Sequence, residues 1–164
     1  MEDINMLERL NEQVLLANQE LENNQLVIYT WGNISGIDRE KKLVVIKPSG
    51  VPYQDLTPEL MTVTDLEGNI VEGVTNPSTD LKTHIELYKK FQNIGGVAHT
   101  HSKSASVWAQ MGRNIPYYGT TRADFFYGEI PRTTRMPIEL VESEYEQKTG
   151  EWITRNFLKF NYDF

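Results

Sequence analysis

The hydrophobic period changes once, early in the chain, and that change limits the folds open to it. Leu7, Leu10, Val14, Ala17 and Leu21 recur at steps of three and four, with Glu8, Glu12 and Gln13 between them, the pattern of one amphipathic helix. After Asn23-Asn24 the sequence turns β-rich. Leu26-Val27-Ile28-Tyr29 is followed by Trp31-Gly32-Asn33-Ile34-Ser35-Gly36 and then by Leu43-Val44-Val45-Ile46, which predicts two strands joined through a Gly/Asn/Ser loop. Met61-Thr62-Val63-Thr64 turns through Glu67-Gly68-Asn69 into Ile70-Val71, a hairpin signal.

Helical spacing then returns. Leu81, His84, Ile85, Tyr88 and Phe91 share one face behind the capping residues of Asn76-Pro77-Ser78-Thr79-Asp80, and Gly95-Gly96 closes the helix. Val97-Ala98-His99-Thr100-His101 reads as a short buried strand, with Ser102 placed to cap a helix through Val107, Trp108 and Met111. Beyond it come a loop holding Asp124 and two helices, Ile138 to Thr149 and Trp152 to Phe160, separated by Gly150. Hairpin strands mixed with helices, without regular alternation, predict an α/β chain layered on a mainly antiparallel sheet.

Composition narrows the function. With 164 residues, 39% of them apolar, the expectation is one domain over residues 1–164 with a real core. Sixteen basic against 23 acidic residues give a net charge of −7, and no basic cluster is long enough to track a phosphate backbone, so nucleic acid is not an expected partner. The absence of cysteine excludes disulfides, thiolate metal sites and a cysteine nucleophile. The acidic start lacks the features of a signal peptide, and no apolar run approaches the roughly 20 residues that span a bilayer. No membrane association and a cytoplasmic location are expected.

His99-Thr100-His101 is the sharpest chemical feature, because residues two apart on a strand project from one face and bring both imidazoles to one ion. Alone, the pair is equally compatible with two hydrogen-bonded core histidines. Its place between a buried strand and a helix, with Asp80 opening the preceding helix as an oxygen donor, favours metal binding. His84, one turn further on, is assigned to packing or to bonding behind the ligands. Gly32-Asn33, Ser49-Gly50 and Ser78-Thr79 form a second constellation of small and hydroxyl-bearing residues that resembles a phosphate cradle. Neither GxxxxGK[ST] nor GxGxxG occurs, so ATP and NAD have no support. Asp124, flanked by aromatic residues, is a candidate for proton transfer. Tyr117, Tyr118, Phe125, Phe126 and Tyr127 suit sugar stacking, the core or a subunit contact.

Read in order, Thr30-Trp31-Gly32-Asn33-Ile34-Ser35, Ile46-Lys47-Pro48-Ser49-Gly50-Val51, Pro77-Ser78-Thr79-Asp80, His99-Thr100-His101-Ser102 and Ala123-Asp124-Phe125-Phe126-Tyr127-Gly128 resemble the L-ribulose-5-phosphate 4-epimerases of the class II aldolase/adducin superfamily. The resemblance runs from about Leu7 to about Phe157. It implies a three-layer α/β/α fold on a central mainly antiparallel sheet, a homotetramer, a pentulose 5-phosphate substrate and a divalent metal, usually zinc. Carried over by position, His99 and His101 are metal ligands, with Asp80 a further ligand or close partner. Gly32, Asn33, Ser49, Gly50, Ser78 and Thr79 hold the substrate, chiefly its phosphate, and Asp124 is the acid/base carboxylate. Related aldolases carry Glu where this chain has Asp80, which favours the epimerase.

The implied chemistry is retro-aldol cleavage of C3–C4 and re-addition on the opposite face, converting L-ribulose 5-phosphate to D-xylulose 5-phosphate, with the metal as Lewis acid. The alternatives are a related sugar-phosphate aldolase and a truncated, non-catalytic binding or assembly protein. The resemblance also implies a third metal histidine and a catalytic tyrosine downstream of the last helix, and the written chain stops at Phe164 with His84, His99 and His101 as its histidines. A weak open metal site and little turnover are therefore expected of this chain. Arg122 stands where the resemblance calls for a histidine.

Overall fold

The computed structural model describes residues 6–126 and 128–158. The acidic start, Tyr127, Tyr162, the Arg122 side chain and the end of the helix expected to reach Phe160 lie outside them. Helix α1 (Met6–Asn23) leads into a five-stranded sheet of β1 (Asn33–Asp38), β2 (Leu43–Ile46), β3 (Thr62–Asp65), β4 (Ile70–Glu72) and β5 (Gly96–His99). The strand order is β4-β3-β2-β1-β5, and every pairing is antiparallel. Helix α2 (Leu81–Lys90) precedes β5, and α3 (Lys103–Gln110) follows it. Two single turns, α4 (Thr120–Ala123) and α5 (Ile138–Val141), lead to α6 (Tyr145–Phe157).

Three layers result, as the expected α/β/α arrangement requires. Leu7, Val14, Leu15 and Leu21 of α1 pack with Val45, Tyr53, Met61 and Val63 on one face of the sheet. Leu81, Ile85 and Tyr88 of α2 pack with Ile37, Val44 and Ile46 on the other. The alternation of Val44 and Val45 between the two clusters is the period-2 signature of a strand buried on both faces. Asn18 fixes α1 to the start of β1: its buried amide donates to the Ile34 carbonyl at 2.9 Å, and its oxygen accepts from the Ile34 N–H at 2.8 Å.

Three expectations are corrected. Leu26-Val27-Ile28-Tyr29 is not a strand. It forms a tight turn with an isolated Ile28–Trp31 bridge, and the segment expected to be a loop supplies β1 instead. The polar side chains of that segment, Asn33 and Ser35, are buried against α2 by hydrogen bonds rather than by apolar contact, which hides the strand from hydrophobic patterning. The strand holding His99 is half-buried to exposed, because β1 covers one of its edges and, among the described residues, no strand covers the other. Gly150 lies inside α6 rather than between two helices. A Cβ there would sit 2.7 Å from Glu86 Cβ and 3.0 Å from the Thr83 carbonyl, so the glycine permits close packing of α6 on α2. The hairpin of β3 and β4 and the Ser102 cap of α3, whose oxygen accepts from the Ala105 N–H at 3.3 Å, form as expected.

Candidate functional site

Three chain segments meet at one end of the sheet: the turn entering β1, the loop leaving β2 and the N-terminus of α2. The register places Asn33 opposite His99, so the first residue of β1 and the last of β5 share an edge of this site. Gly32 makes the approach possible. Its φ is +90°, and a Cβ would lie 2.8 Å from the His99 carbonyl oxygen. The loop after β2 is tied to the α2 entry by a Pro48–Pro77 bridge, with the Ser49 amide donating to Asn76 and the Ser78 amide to Lys47, each at 3.0 Å. Those two amides are thus engaged within the cradle. Ser49, Thr79 and the open Gly50 turn line the cleft beside them. Gly50 has a φ of +73° and no heavy atom within 4 Å of a Cβ position.

The resulting cleft, about 540 Å³, is lined by every substrate and metal residue expected from the sequence, Gly32, Asn33, Ser49, Gly50, Ser78, Thr79, Asp80, His99 and His101, and not by the expected acid/base carboxylate Asp124. Asp124 instead lies on an exposed segment after α4, beside Phe125 at 82% exposure and Phe126 at 43%. Tyr117 and Tyr118 are exposed as well, which removes the core as the use of these four rings, Tyr127 lying outside the described residues.

Asp80 departs from its local role. It occupies the N-cap position of α2, yet its carboxylate makes no capping bond. Oδ2 accepts instead from His99 Nδ1 at 2.8 Å and from Asn33 Nδ2 at 2.7 Å. An N-cap bond contributes on the order of 1 kcal/mol, and its diversion into the cleft marks the carboxylate as part of the site. Burial alone would raise the Asp80 carboxyl, but the bonds from His99 and Asn33 and the nearby imidazoles outweigh it and hold the group below the usual carboxylate range. The bond to Asp80 raises the His99 imidazole above its ordinary value, against an opposing effect of burial.

The His99 and His101 rings stack with centroids 4.8 Å apart. With Nδ1 of His99 held by a carboxylate, its Nε2 is the nitrogen left for an ion, the arrangement in which an orienting carboxylate fixes the tautomer. The two adjacent imidazoles suit a divalent ion such as zinc as a partial donor set, while Asp80, expected as a ligand, is turned onto His99 Nδ1 and orients that ring instead. Among the described residues, no group of three histidine or acidic side chains is gathered closely enough to hold an ion by itself.

Two residues that sequence reasoning leaves unassigned complete the cleft. Lys47 is 1% exposed, and its Nζ lies 4.8 Å from the centre of the Tyr53 ring and donates to the Pro48 carbonyl at 3.2 Å. Burial lowers its ammonium to about 8. Tyr53, buried with its hydroxyl pushed up to about 12 by desolvation and by Glu22, reaches the carbonyls of Trp31 and Gly32 at 2.9 and 2.8 Å and so braces the loop entering β1. A lysine inside a Gly/Ser/Pro loop is the available signal, since lysine is almost never fully buried without a charged partner.

Behind the cleft, Ser35 Oγ joins His84 Nδ1 and the Tyr88 hydroxyl, each at 2.7 Å. Tyr88 therefore donates to Ser35, and Ser35 donates to His84 Nδ1; the reverse direction would leave a buried hydroxyl hydrogen unpaired. Burial, aided by His99 and opposed by Asp80, pushes His84 down to about 4, so it is a neutral imidazole that joins α2 to β1, within the role expected for it.

Comparison with known proteins supplies the family and the fold. The model of the class II aldolase and adducin N-terminal domain matches residues 12–156. A solved L-fuculose 1-phosphate aldolase is 30% identical, with a TM-score of 0.63, and the match covers 66% of this chain and 51% of that one. The chain thus spans about half the length of that relative. The l-fuculose-1-phosphate aldolase from Thermus thermophilus is 20% identical with a TM-score of 0.70, over 91% of this chain and 73% of its own. YgbL from Escherichia coli, described as a putative aldolase/epimerase/decarboxylase, is 19% identical with a TM-score of 0.58, over 64% and 50% respectively. The last two show the shared fold. Among the described residues no helix is long and apolar enough to cross a membrane. A cleft assembled from the expected loops and histidines, inside a domain matched over nearly its whole length, places the chain in the class II aldolase/adducin family.

Proposed function

We propose that this chain carries the sugar-phosphate site of an L-ribulose-5-phosphate 4-epimerase. The observation that carries the reading is Asp80: the carboxylate is ionised and committed to His99 and Asn33, a holding role, where the related aldolases use a glutamate catalytically. The substrate phosphate sits against Lys47, the Ser49 and Thr79 hydroxyls and the Gly50 turn, where one buried cation and several neutral donors match a dianion. His99 and His101 would hold the divalent ion, zinc in the simplest case, with Asp80 orienting His99. Bound there, it would supply Lewis acidity toward the carbonyl of a sugar phosphate.

The reaction balances without a redox partner. The C4 hydroxyl gives up its proton, the C3–C4 bond breaks, and its electron pair passes to the three-carbon ketone half as C4 becomes an aldehyde. The phosphate cradle keeps the two-carbon aldehyde in place while its carbonyl turns, and re-addition restores C3–C4 with C4 inverted. Asp124 holds and returns the C4 oxygen's proton. Its exposed position outside the cleft, beside Phe125 and Phe126, suits service to the cleft of a second protomer, in keeping with a homotetramer. The location expected for such an enzyme is the cytoplasm.

A related aldolase is the second reading, favoured by the 30% identity to an L-fuculose 1-phosphate aldolase. Carbon NMR of the zinc-supplemented protein with L-ribulose 5-phosphate, followed over long incubation, separates the readings. Slow appearance of D-xylulose 5-phosphate without free glycolaldehyde phosphate is expected. Accumulated free aldehyde would establish the aldolase. Binding without any product would leave a sugar-phosphate binding protein, and neither binding nor product would overturn the proposal.

A further inference from the structure

Beside the histidines lies a pair of rings that neither the phosphate loops nor the metal donors employ. Tyr29 is 79% and Trp31 55% exposed, and Trp31 lines the cleft. The two meet edge to face, with centroids 5.6 Å apart at 73°. The indole lies 5.8 Å from the His101 ring, which stacks on His99, so a run of rings leads from solvent to the metal donors. The backbone holds this arrangement against local preference. Tyr29 has a φ of +53°, a left-handed conformation that a bulky residue seldom adopts. Asn or Gly would close the same turn without strain. The Trp31 N–H donates to the Ile28 carbonyl at 3.0 Å, and the Tyr53 hydroxyl braces its carbonyl, so the indole is placed by a held backbone rather than by its own packing.

A strained turn and two exposed rings do nothing for the stability of the fold; they are explained by a ligand surface that covers the rings. Resting on the sugar-phosphate reading, we infer that Trp31, supported by Tyr29, determines specificity for the carbon chain of a phosphorylated open-chain polyol or ketose. The C–H groups of that chain lie against the electron-rich indole face while the phosphate occupies the cradle. Inorganic phosphate fills the cradle without reaching the indole.

Calorimetric titration with two probes, a pentitol 5-phosphate and inorganic phosphate, tests this. Trp31→Ala is expected to weaken pentitol phosphate by about 10-fold and inorganic phosphate by less than about 2-fold. Trp31→Phe, which keeps a ring, stays within about 3-fold of wild type for both. If Trp31→Ala does not fold, Trp31→Leu keeps apolar volume, removes the aromatic face and reads the same ratio. Pentitol phosphate binding unchanged in the variant overturns the inference, and so does equal weakening of both probes, which would trace the effect to the loop. A wild-type protein that binds neither probe overturns the sugar-phosphate reading itself, and the inference with it.

Discussion

Replacing Lys47 by methionine separates the stability of the fold from the use of the cleft. The Lys47 ammonium is buried with a tyrosine ring and one carbonyl for company and, among the described residues, no carboxylate. Its pKa falls from 10.5 to about 8, which corresponds to about 3 kcal/mol of disfavoured charge in the folded state at neutral pH. Lys47→Met removes that cost while keeping the length and apolar character of the stem. Loss of the contact with the Tyr53 ring returns about 1 kcal/mol, leaving a net gain of about 2 kcal/mol, or about 4–8 °C in Tm. Urea unfolding at several pH values checks the origin of the gain. Between about pH 8 and 10.5 the unfolded wild-type chain holds a proton that the folded chain has released, so wild-type stability rises with pH there and the variant's advantage shrinks. Phosphate affinity moves the other way, falling about 10- to 100-fold with the loss of a charged donor. A variant less stable than wild type at pH 7, or one that binds phosphate as tightly, would refute this account of Lys47.

Three further perturbations probe the frame around the cleft. His84 titrates at about 4 folded and near 6.5 unfolded, so the unfolded state takes up its proton first as pH falls. Stability should drop by up to about 3 kcal/mol between those values, a component missing in His84→Gln when both proteins are unfolded in urea across the range. Tyr88→Phe leaves Ser35 without the hydroxyl that donates to it and should cost about 1–3 kcal/mol in the same assay. Gly150→Ala places a methyl 2.7 Å from Glu86 Cβ and 3.0 Å from the Thr83 carbonyl, and the resulting overpacking should outweigh the gain in helix propensity and lower Tm by several degrees.

The parts of the molecule visible in sequence are those where chemistry and spacing coincide. His99 and His101 sit two apart at a strand end, and the Gly/Ser/Asn pairs close turns, so their side chains converge where the backbone directs them. The diversion of Asp80 from its cap to His99 is not legible, because it depends on the register that sets Asn33 opposite His99. β1 escapes the hydrophobic pattern because Asn33 and Ser35 are buried by hydrogen bonds to α2, which no apolar period records. Gly150 looks like a helix stop, and only the packing of α6 on α2 shows why a glycine stands inside a helix. For Lys47 the one mark in sequence is its place in a Gly/Ser/Pro loop, and its burial is set by the neighbours that enclose it, here Tyr53 and the loop after β2.

The central claim is that one cleft combines an ion held at His99 and His101, with Asp80 behind it, and a phosphate held at Lys47, Ser49 and Gly50. An anomalous difference map from crystals of the protein soaked with zinc and a pentitol 5-phosphate tests it most directly. A zinc peak beside the two imidazoles, on the side of His99 away from Asp80, together with phosphate density at the Gly50 turn, is the predicted result. Zinc bound elsewhere, or phosphate density outside the cleft, would contradict it.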